Sequence, residues 1–356
     1  MSLLSHSRCL LVCAAMSAAS GFARVEAQAV EPAVKVLLTR MAPWTTVFAE
    51  EEVKIQLTSA VEPPVKGRLM WSLSTSEQLS LFKGEIPADR NELLEFSLKL
   101  PSVKPGVVFS TQLTAHLYIQ GEREPSASYE APIHIYPRDP FHDRKGTLKK
   151  LAIKLYDPPG NTTKVLAAAE FPCERITNVA VVGDLSEGIL LIGEGVSFRD
   201  DRSLPEFLVR AATRGVPVLC LAPSAGEFEL LQAGDKSAVI GLSLQKNSFI
   251  RHLDKRFDDG HWLGQPVVAR HSMNIGGRGA SIATDFAVGN DGWRWLEMQF
   301  VKKTGDNNTA VEPTKLIVMS LPVIENWEAG PTPRFLFSRL VDYVTPTPIL
   351  AKAVAP

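Results

Sequence analysis

The sequence predicts two domains of different fold class, a β-sandwich followed by an open α/β sheet, behind an N-terminal export signal. Short segments that alternate polar and apolar residues run from residue 34 to 137. Beyond residue 149, uninterrupted apolar runs alternate with helical patterns. The 356 residues are 45% apolar, which suffices for two cores at roughly 100–200 residues per domain.

Composition excludes several classes of protein. The chain has 38 basic and 39 acidic residues, a net charge of −1, so it is neither a nucleic-acid binder that neutralises phosphates nor an acidic disordered protein. Outside the N-terminus it has no apolar run of about 18 residues, and we predict no membrane span in the mature chain. No cofactor is predicted.

Residues 1–29 are predicted to be a cleaved signal peptide. Arg8 precedes the apolar run Cys9–Met16, and Ala27-Gln28-Ala29 provides the small-x-small pattern that signal peptidase accepts. Val12 stands before Cys13, where a lipoprotein signal needs a small residue. The expected location is therefore secreted or periplasmic.

Cleavage would leave two cysteines, Cys173 and Cys220. An exported chain can join them in one disulfide, although two cysteines form no disulfide framework. Both adjoin apolar runs, so two small buried thiols are the alternative.

An immunoglobulin-like β-sandwich is predicted over residues 30–138. Six or seven short strands in about a hundred residues are typical of that fold, although the sequence has no Cys…Trp…Cys signature. Turns are expected at Pro63-Pro64, Pro87-Ala88-Asp89 and Lys104-Pro105-Gly106. The β-rich segments are Val34–Leu38, Val53–Leu57, Arg68–Leu73, Leu93–Leu100, Val107–Tyr118 and Ser128–Tyr136.

A charged, proline-flanked linker over 139–148 leads to an α/β domain over 149–346 and a tail over 347–356. Apolar runs such as Gly188–Gly193 are typical of strands covered on both faces, and strand–helix alternation indicates a parallel sheet with helices outside. The predicted strands are Leu151–Tyr156, Gly188–Gly193, Val216–Leu221 and Thr314–Met319. The predicted helices are Thr162–Phe171, Asp201–Arg214 with Ser203 as its cap, and Arg334–Val344.

Two segments of this half resemble class I glutamine amidotransferases. Pro217–Ser224 is similar to the strand and elbow that carry the family's nucleophile. Ile317–Glu325, running into Thr332–Leu336, is similar to the segment with its late His-x-Glu pair. The resemblance covers about residues 148–345 and implies a flavodoxin-like fold.

The family's catalytic residues are missing. Its Gly-x-Cys-x-Gly elbow matches Cys220–Ser224, which places Ala222 at the nucleophile. Leu321-Pro322-Val323 stands where the family has its histidine, and only Glu325 could stand near its carboxylate. A cysteine hydrolase needs a thiolate and a base. We therefore expect a degenerate, non-catalytic protein that binds or scaffolds, with extracellular carbohydrate or envelope material as its ligand.

A serine hydrolase is the alternative. Ala222–Gly226 approximates Gly-x-Ser-x-Gly, with Ser224 as nucleophile and His252 or His261 as the base it would need. The simpler interpretation makes Ser224 the N-cap of a following helix.

A metal site is the third hypothesis. Asp254, Asp258 and His261 lie in the segment 251–262 and offer oxygen and nitrogen ligands. Lys255 and Arg256 would neutralise the carboxylates, so a salt-bridged surface loop is the alternative.

Glu194 lies between two glycines at the predicted carboxyl end of a buried strand. Open α/β sheets bind ligands at that edge. Glu194 and Ser224 belong to adjacent strand–helix units, so we expect both to face one crevice.

Tryptophans are the remaining candidates for ligand binding. Trp293 and Trp295 share one face of a predicted strand, and Trp262 and Trp327 lie nearby in the chain. Indole faces suit sugar rings, whereas core packing is the common alternative. Trp262 and Trp327 join Glu194 and Ser224 as candidates.

Overall fold

A computed structural model describes the protein over residues 37–42, 44–60, 66–88, 93–229, 254–257, 261–262, 265–266, 274–276, 295–300 and 313–347. The predicted signal peptide lies outside these residues, as do the candidates His252 and Asp258. For His261 and Trp262 the backbone alone is described.

The described residues of the first half form eight strands in two sheets. One sheet has the order β1-β3-β6 and the other has the order β2-β8-β7-β4-β5. All pairs are antiparallel except β2 with β8. The strands are β1 Leu37–Arg40, β2 Thr46–Phe48, β3 Glu52–Ala60, β4 Gly67–Thr75, β5 Ser80–Ala88, β6 Leu93–Lys99, β7 Phe109–Ile119 and β8 Ala127–Tyr136.

Buried and exposed residues alternate along the strands, and the buried side chains of the two sheets form one core. Leu94, Phe96 and Leu98 of β6 are buried while their neighbours in the strand are exposed. They pack in one cluster with residues of the second sheet, among them Leu69 and Leu113. The period of two in the sequence therefore places one face of each sheet inside.

Strand β5 corrects the predicted turn at Pro87-Ala88, because both residues belong to its end. Proline is tolerated there because β5 is the edge of its sheet. Within the same strand, a Cβ on Gly84 would collide with the Trp71 indole on β4. The sequence pattern did not predict β5, because glycine and proline are normally turn residues. The three-residue strand β2 was also not predicted.

The second half contains a six-stranded sheet of order β10-β9-β11-β12-β18-β17. All neighbours are parallel except β17, which runs antiparallel to β18. Two small sheets, β13 with β16 and β14 with β15, lie outside it. The strands are β9 Ile153–Tyr156, β10 Glu174–Ile176, β11 Ile189–Ile192, β12 Val218–Leu221, β13 Glu227–Glu229, β14 His261–Trp262, β15 Gln265–Pro266, β16 Asn274–Gly276, β17 Trp295–Phe300 and β18 Thr314–Met319.

Helices cover both faces of this sheet, as predicted. Leu191 of β11 packs in a core with α1, α2 and α5, whereas Leu190 packs in a second core with α3 and α4. This explains the uninterrupted apolar runs in the sequence, since successive residues enter opposite cores. The helices are α1 Lys145–Lys150, α2 Asn161–Ala168, α3 Val179–Asp184, α4 Leu204–Thr213 and α5 Pro331–Val344.

Helix ends differ from the prediction. Ser203 occupies the N-cap of α4, but its hydroxyl donates to Asp201 Oδ1 at 2.8 Å instead of capping the helix. Helix α2 ends at Ala168, and α5 begins at Pro331, three residues before the predicted start. Among the described helices, none has the length and apolar character required to cross a bilayer.

The two halves share no strand in the described residues, yet they are in contact. Arg334 of α5 lies over the Phe48 ring of β2, with its guanidinium carbon 4.6 Å from the ring centroid. Tyr136 and Phe335 pack with their centroids 4.8 Å apart, and the hydroxyls of Thr46 and Thr332 are 3.1 Å apart. The domain boundaries at 138 and 148 stay predictions.

The two cysteines lie on opposite faces of the sheet. Cys220 is buried in the core with α3 and α4, whereas Cys173 packs against the other core. Both thiols are free, and Cys220 is buried whereas Cys173 is half-buried, so the predicted burial of both thiols holds for Cys220 alone.

We expect both thiols to react slowly with iodoacetamide in the folded protein. Burial raises the pKa of both, and the nearby Asp157 charge adds to the effect at Cys173. The thiolate fraction at pH 8 is therefore small and rises with pH. Peptide mass spectrometry should show Cys173 labelled before Cys220, with both labelled fully in urea. Rapid labelling of Cys220 at pH 7 would contradict this packing.

Candidate functional site

The carboxyl ends of the parallel strands meet at one edge of the sheet, the edge at which open α/β sheets bind ligands. The loops after β9, β11, β12 and β18 leave from it. They carry Asp157, Glu194, Ala222 and the turn 322–328 respectively.

Glu194 is a buried carboxylate that holds the turn after β18. Only 3% of its surface is exposed. Its Oε2 accepts the Ile324 N–H at 2.7 Å, and Oε1 accepts the Glu325 N–H at 3.2 Å. Its own N–H donates to Thr162 Oγ1 at 2.8 Å. Hydrogen bonds to a carboxylate are stronger than neutral ones, so Glu194 fixes this turn in place.

Asp157 is a second buried carboxylate, 1% exposed, which the sequence interpretation overlooked. Its Oδ2 accepts the Thr163 N–H at 2.7 Å and the Thr163 hydroxyl at 2.8 Å, which ties the first turn of α2 to the end of β9. Its Oδ1 has no hydrogen-bond partner among the described residues. An acidic residue between a strand and a helix was the signal that could have revealed it.

Ala222 follows β12 in a left-handed conformation, with φ of +28°. Its N–H donates to the Met319 carbonyl at 2.7 Å, and its carbonyl accepts the Gly195 N–H at 2.9 Å. A non-glycine residue at positive φ is uncommon and is held there by its surroundings. Its side chain is a buried methyl group, which has no nucleophilic atom.

Ser224 is exposed, and its Oγ donates to the Gly195 carbonyl at 2.8 Å. The chain continues through Gly226, at φ of +95°, into strand β13. The predicted helix N-cap at Ser224 is therefore wrong. The candidate general bases for Ser224 are His252 and His261. His252 and the side chain of His261 lie outside the described part of the structure.

The loops that carry Glu194 and Ser224 are neighbours, but the two side chains have different hydrogen-bond partners. Gly195 is hydrogen-bonded to Ala222 and to Ser224. The Glu194 carboxylate is buried against the turn after β18, whereas the Ser224 hydroxyl is exposed. The structure therefore brings the two loops together without joining the carboxylate to the hydroxyl.

Asp254 is paired with Arg256, whose Nε and Nη2 donate to it at 2.9 and 2.7 Å. Burial opposes ionisation of Asp254, but the hydrogen bonds from Arg256 outweigh it and hold its pKa below the usual value. In the described part of the chain, no three His, Cys, Asp or Glu side chains are grouped to hold a metal ion. Asp258 and the His261 side chain lie outside that part.

Trp327 and Trp295 both pack in the core with α2 and α5. Trp327 is 4% exposed and lies against Phe141 and Phe337, with ring centroids 6.3 and 5.8 Å away. Neither described indole therefore offers an open face to a sugar ring. Trp293 and the side chain of Trp262 lie outside the described residues.

A cleft of about 530 Å³ lies beside the turn that Glu194 holds. Helix α2 forms one wall with Lys164, Val165, Ala168 and Ala169. The turn after β18 forms the facing wall, and the linker closes one end together with Arg334. The volume is in the range of small-molecule sites. Sequence reasoning missed this cleft, because its walls come from three distant segments.

The facing wall of the cleft is formed by Ile324, Glu325, Trp327 and Glu328. Of the sequence-predicted candidates at this edge, Glu325 lines the cleft, whereas Glu194 supports the wall from behind.

Most of the cations that line the cleft are already paired. Arg334 pairs with Glu328 and donates to the Trp327 carbonyl at 2.8 Å. Arg138 pairs with Glu51 at 2.7 Å. Lys145 pairs with two carboxylates, Asp139 and Glu170.

Lys164 is the exception among these cations. It is exposed on α2, and its side-chain ammonium has no ionic or hydrogen-bond partner among the described residues. An ammonium group that faces a cleft without a partner is available to an anionic ligand group.

Comparison with known proteins gives no family. No family model matches the chain, and no curated protein matches it.

Among solved structures, the CARDB domain of a Pyrococcus furiosus protein, in complex with di-metal ions, is 9% identical at a TM-score of 0.19. The match covers 29% of this chain and 93% of the CARDB chain. A putative beta-galactosidase from Bacteroides fragilis is 12% identical at a TM-score of 0.20, over 53% of this chain and 34% of its own. A glycosyl hydrolase family 2 member from Bacteroides cellulosilyticus is 10% identical at a TM-score of 0.23, over 54% and 31%. The chain thus matches about a third of each of these two enzymes, and TM-scores this low carry no argument about fold or function.

Replacing Glu194 by alanine should destabilise the protein by about 3 kcal/mol, because two amide N–H groups lose a buried carboxylate acceptor. Urea unfolding measures the change. Glu187→Ala is the matched control, since that exposed carboxylate should shift the free energy by less than about 0.5 kcal/mol. Equal effects of the two substitutions would contradict the role of Glu194.

Gly193→Ala should also destabilise the protein, by about 1–3 kcal/mol, as overpacking does. A Cβ at residue 193 would overlap the buried Asp157 carboxylate. Gly146→Ala in α1 meets no atom within 4 Å and should stabilise by about 0.5 kcal/mol. The melting temperatures of the two variants should shift in opposite directions. A shift in the same direction would contradict the close approach of residue 193 to Asp157.

Proposed function

We propose that this chain is a secreted or periplasmic binding protein without catalytic activity. An immunoglobulin-like sandwich would precede a degenerate domain of the class I glutamine amidotransferase type. The observation that carries the proposal is Ala222, a buried methyl group in a left-handed backbone conformation after β12.

The sheet topology supports a flavodoxin-like second domain. Numbered along the chain, the five parallel strands β9, β10, β11, β12 and β18 lie in the spatial order 2-1-3-4-5. That is the strand order of flavodoxin-like sheets. The antiparallel β17 extends this sheet at the β18 edge.

The chemistry around Ala222 supports loss of catalysis. A cysteine hydrolase needs an ionised thiol beside a base. Cys220 lies two residues earlier, but it is fully buried and burial raises its pKa. The stretch Leu321-Pro322-Val323 contains no imidazole.

Binding is the role that remains for such a scaffold, and the cleft beside the turn after β18 is the site we assign to it. Its volume and its mixture of apolar walls and charged rim suit a small organic ligand. The predicted export signal makes envelope material, carbohydrate included, the expected source of that ligand.

The test of this proposal is the absence of turnover. A fluorophosphonate probe should not label the full chain, because the Ser224 hydroxyl donates to the Gly195 carbonyl. Glutamine should release no ammonia, because position 222 offers no nucleophile. A serine hydrolase serves as positive control for the probe. Labelling that disappears in Ser224→Ala would overturn the proposal and support the serine hydrolase instead.

A further inference from the structure

We propose that the cleft between α2 and the turn after β18 binds a short peptide through its free α-carboxylate, with Lys164 as the carboxylate's partner. This inference rests on the proposed binding function and narrows its ligand to one chemical class.

Both walls of the cleft are fixed before a ligand arrives. The buried Glu194 carboxylate holds the amides of Ile324 and Glu325 in one wall. The buried Asp157 carboxylate holds Thr163, at the start of α2, in the other. A site that is ordered in advance loses little conformational entropy when it binds. These two carboxylates therefore serve as positioning groups for the cleft.

The charges around the cleft suit a ligand that carries both signs. Four cationic side chains and four carboxylates line it, so a ligand of large net charge finds no matching field. Three of the cations are paired with carboxylates of the protein, and Lys164 is not. A zwitterion matches this balance of charge and can place its carboxylate on Lys164 without breaking an ion pair of the protein.

The apolar part of the cleft suits small aliphatic side chains. Val165, Ala168 and Ile324 line its walls and offer methyl and methylene surface rather than hydrogen-bonding groups. A peptide with alanine-sized side chains can bury its carbons there while both charged ends reach the rim.

A sugar fits this cleft less well. Recognition of a sugar ring uses an open aromatic face, and Trp327, the tryptophan that lines the cleft, is 4% exposed. A neutral sugar would also leave the Lys164 ammonium without a partner. We therefore argue for the peptide, and the sugar becomes an outcome of the test.

Isothermal titration of the full chain with three probes tests the proposal: trialanine with free termini, trialanine amide and a neutral trisaccharide of similar size. Trialanine with free termini should bind with a Kd of about 1 mM or lower, which corresponds to a binding free energy of roughly −4 kcal/mol. The amide should bind at least about tenfold more weakly, because it has lost the charge that Lys164 would meet. The trisaccharide should give no heat.

Two lysine variants locate the carboxylate. Lys164→Gln should weaken binding of the free acid to the level of the amide and leave the amide unchanged. Lys149→Gln, an exposed lysine on α1 outside the cleft, should bind like the original chain. Lys164 is exposed, so circular dichroism should show both variants folded.

Three results would overturn the inference: no binding of trialanine, equal binding of acid and amide, or tight binding of the trisaccharide alone. None of them restores a nucleophile, so the non-catalytic assignment would stand. Conversely, probe labelling at Ser224 would remove that assignment without altering the peptide titration.

Discussion

The buried carboxylate of Glu194 is the interaction on which the edge of the α/β sheet depends. It joins the loop after β11 to the turn after β18 across 130 residues of sequence, through the amides of Ile324 and Glu325. Its own amide reaches Thr162 at the start of α2. One residue thereby sets the spacing of three loops, and the cleft is the space between two of them. Unpaired, a buried carboxylate would be strongly destabilising, so these loops and Glu194 must assemble together.

Sequence patterns predicted the sheet of the second half well, because its strands are buried on both faces. The runs at 188–193 and 216–221, together with 314–319, have enough consecutive apolar residues to stand out. Strand β5 was missed because Gly84 and Pro87 are normally turn residues, and an edge position and a covering indole make them acceptable. Strand β10 was missed because two of its three residues are charged.

The candidate site could be located from the sequence but not built from it. Glycines around Glu194 at a strand end indicated the edge of the sheet, and that placement is right. Its partners at 324 and 325 could not be foreseen, since a backbone amide has no sequence signal. Lys164 has no sequence signal either. It stands out only because the other three cations that line the cleft are paired with carboxylates.

Arg334 has a consequence for the molecule as a whole. Its guanidinium is stacked between Phe48 of the first half and Trp327 of the second, and it also donates to the Arg138 carbonyl in the connecting segment. Separating the halves would leave two aromatic faces and a half-buried cation without their neighbours. The two halves should therefore resist separation, and a force applied to the sandwich would be transmitted to the end of the cleft that Arg334 closes.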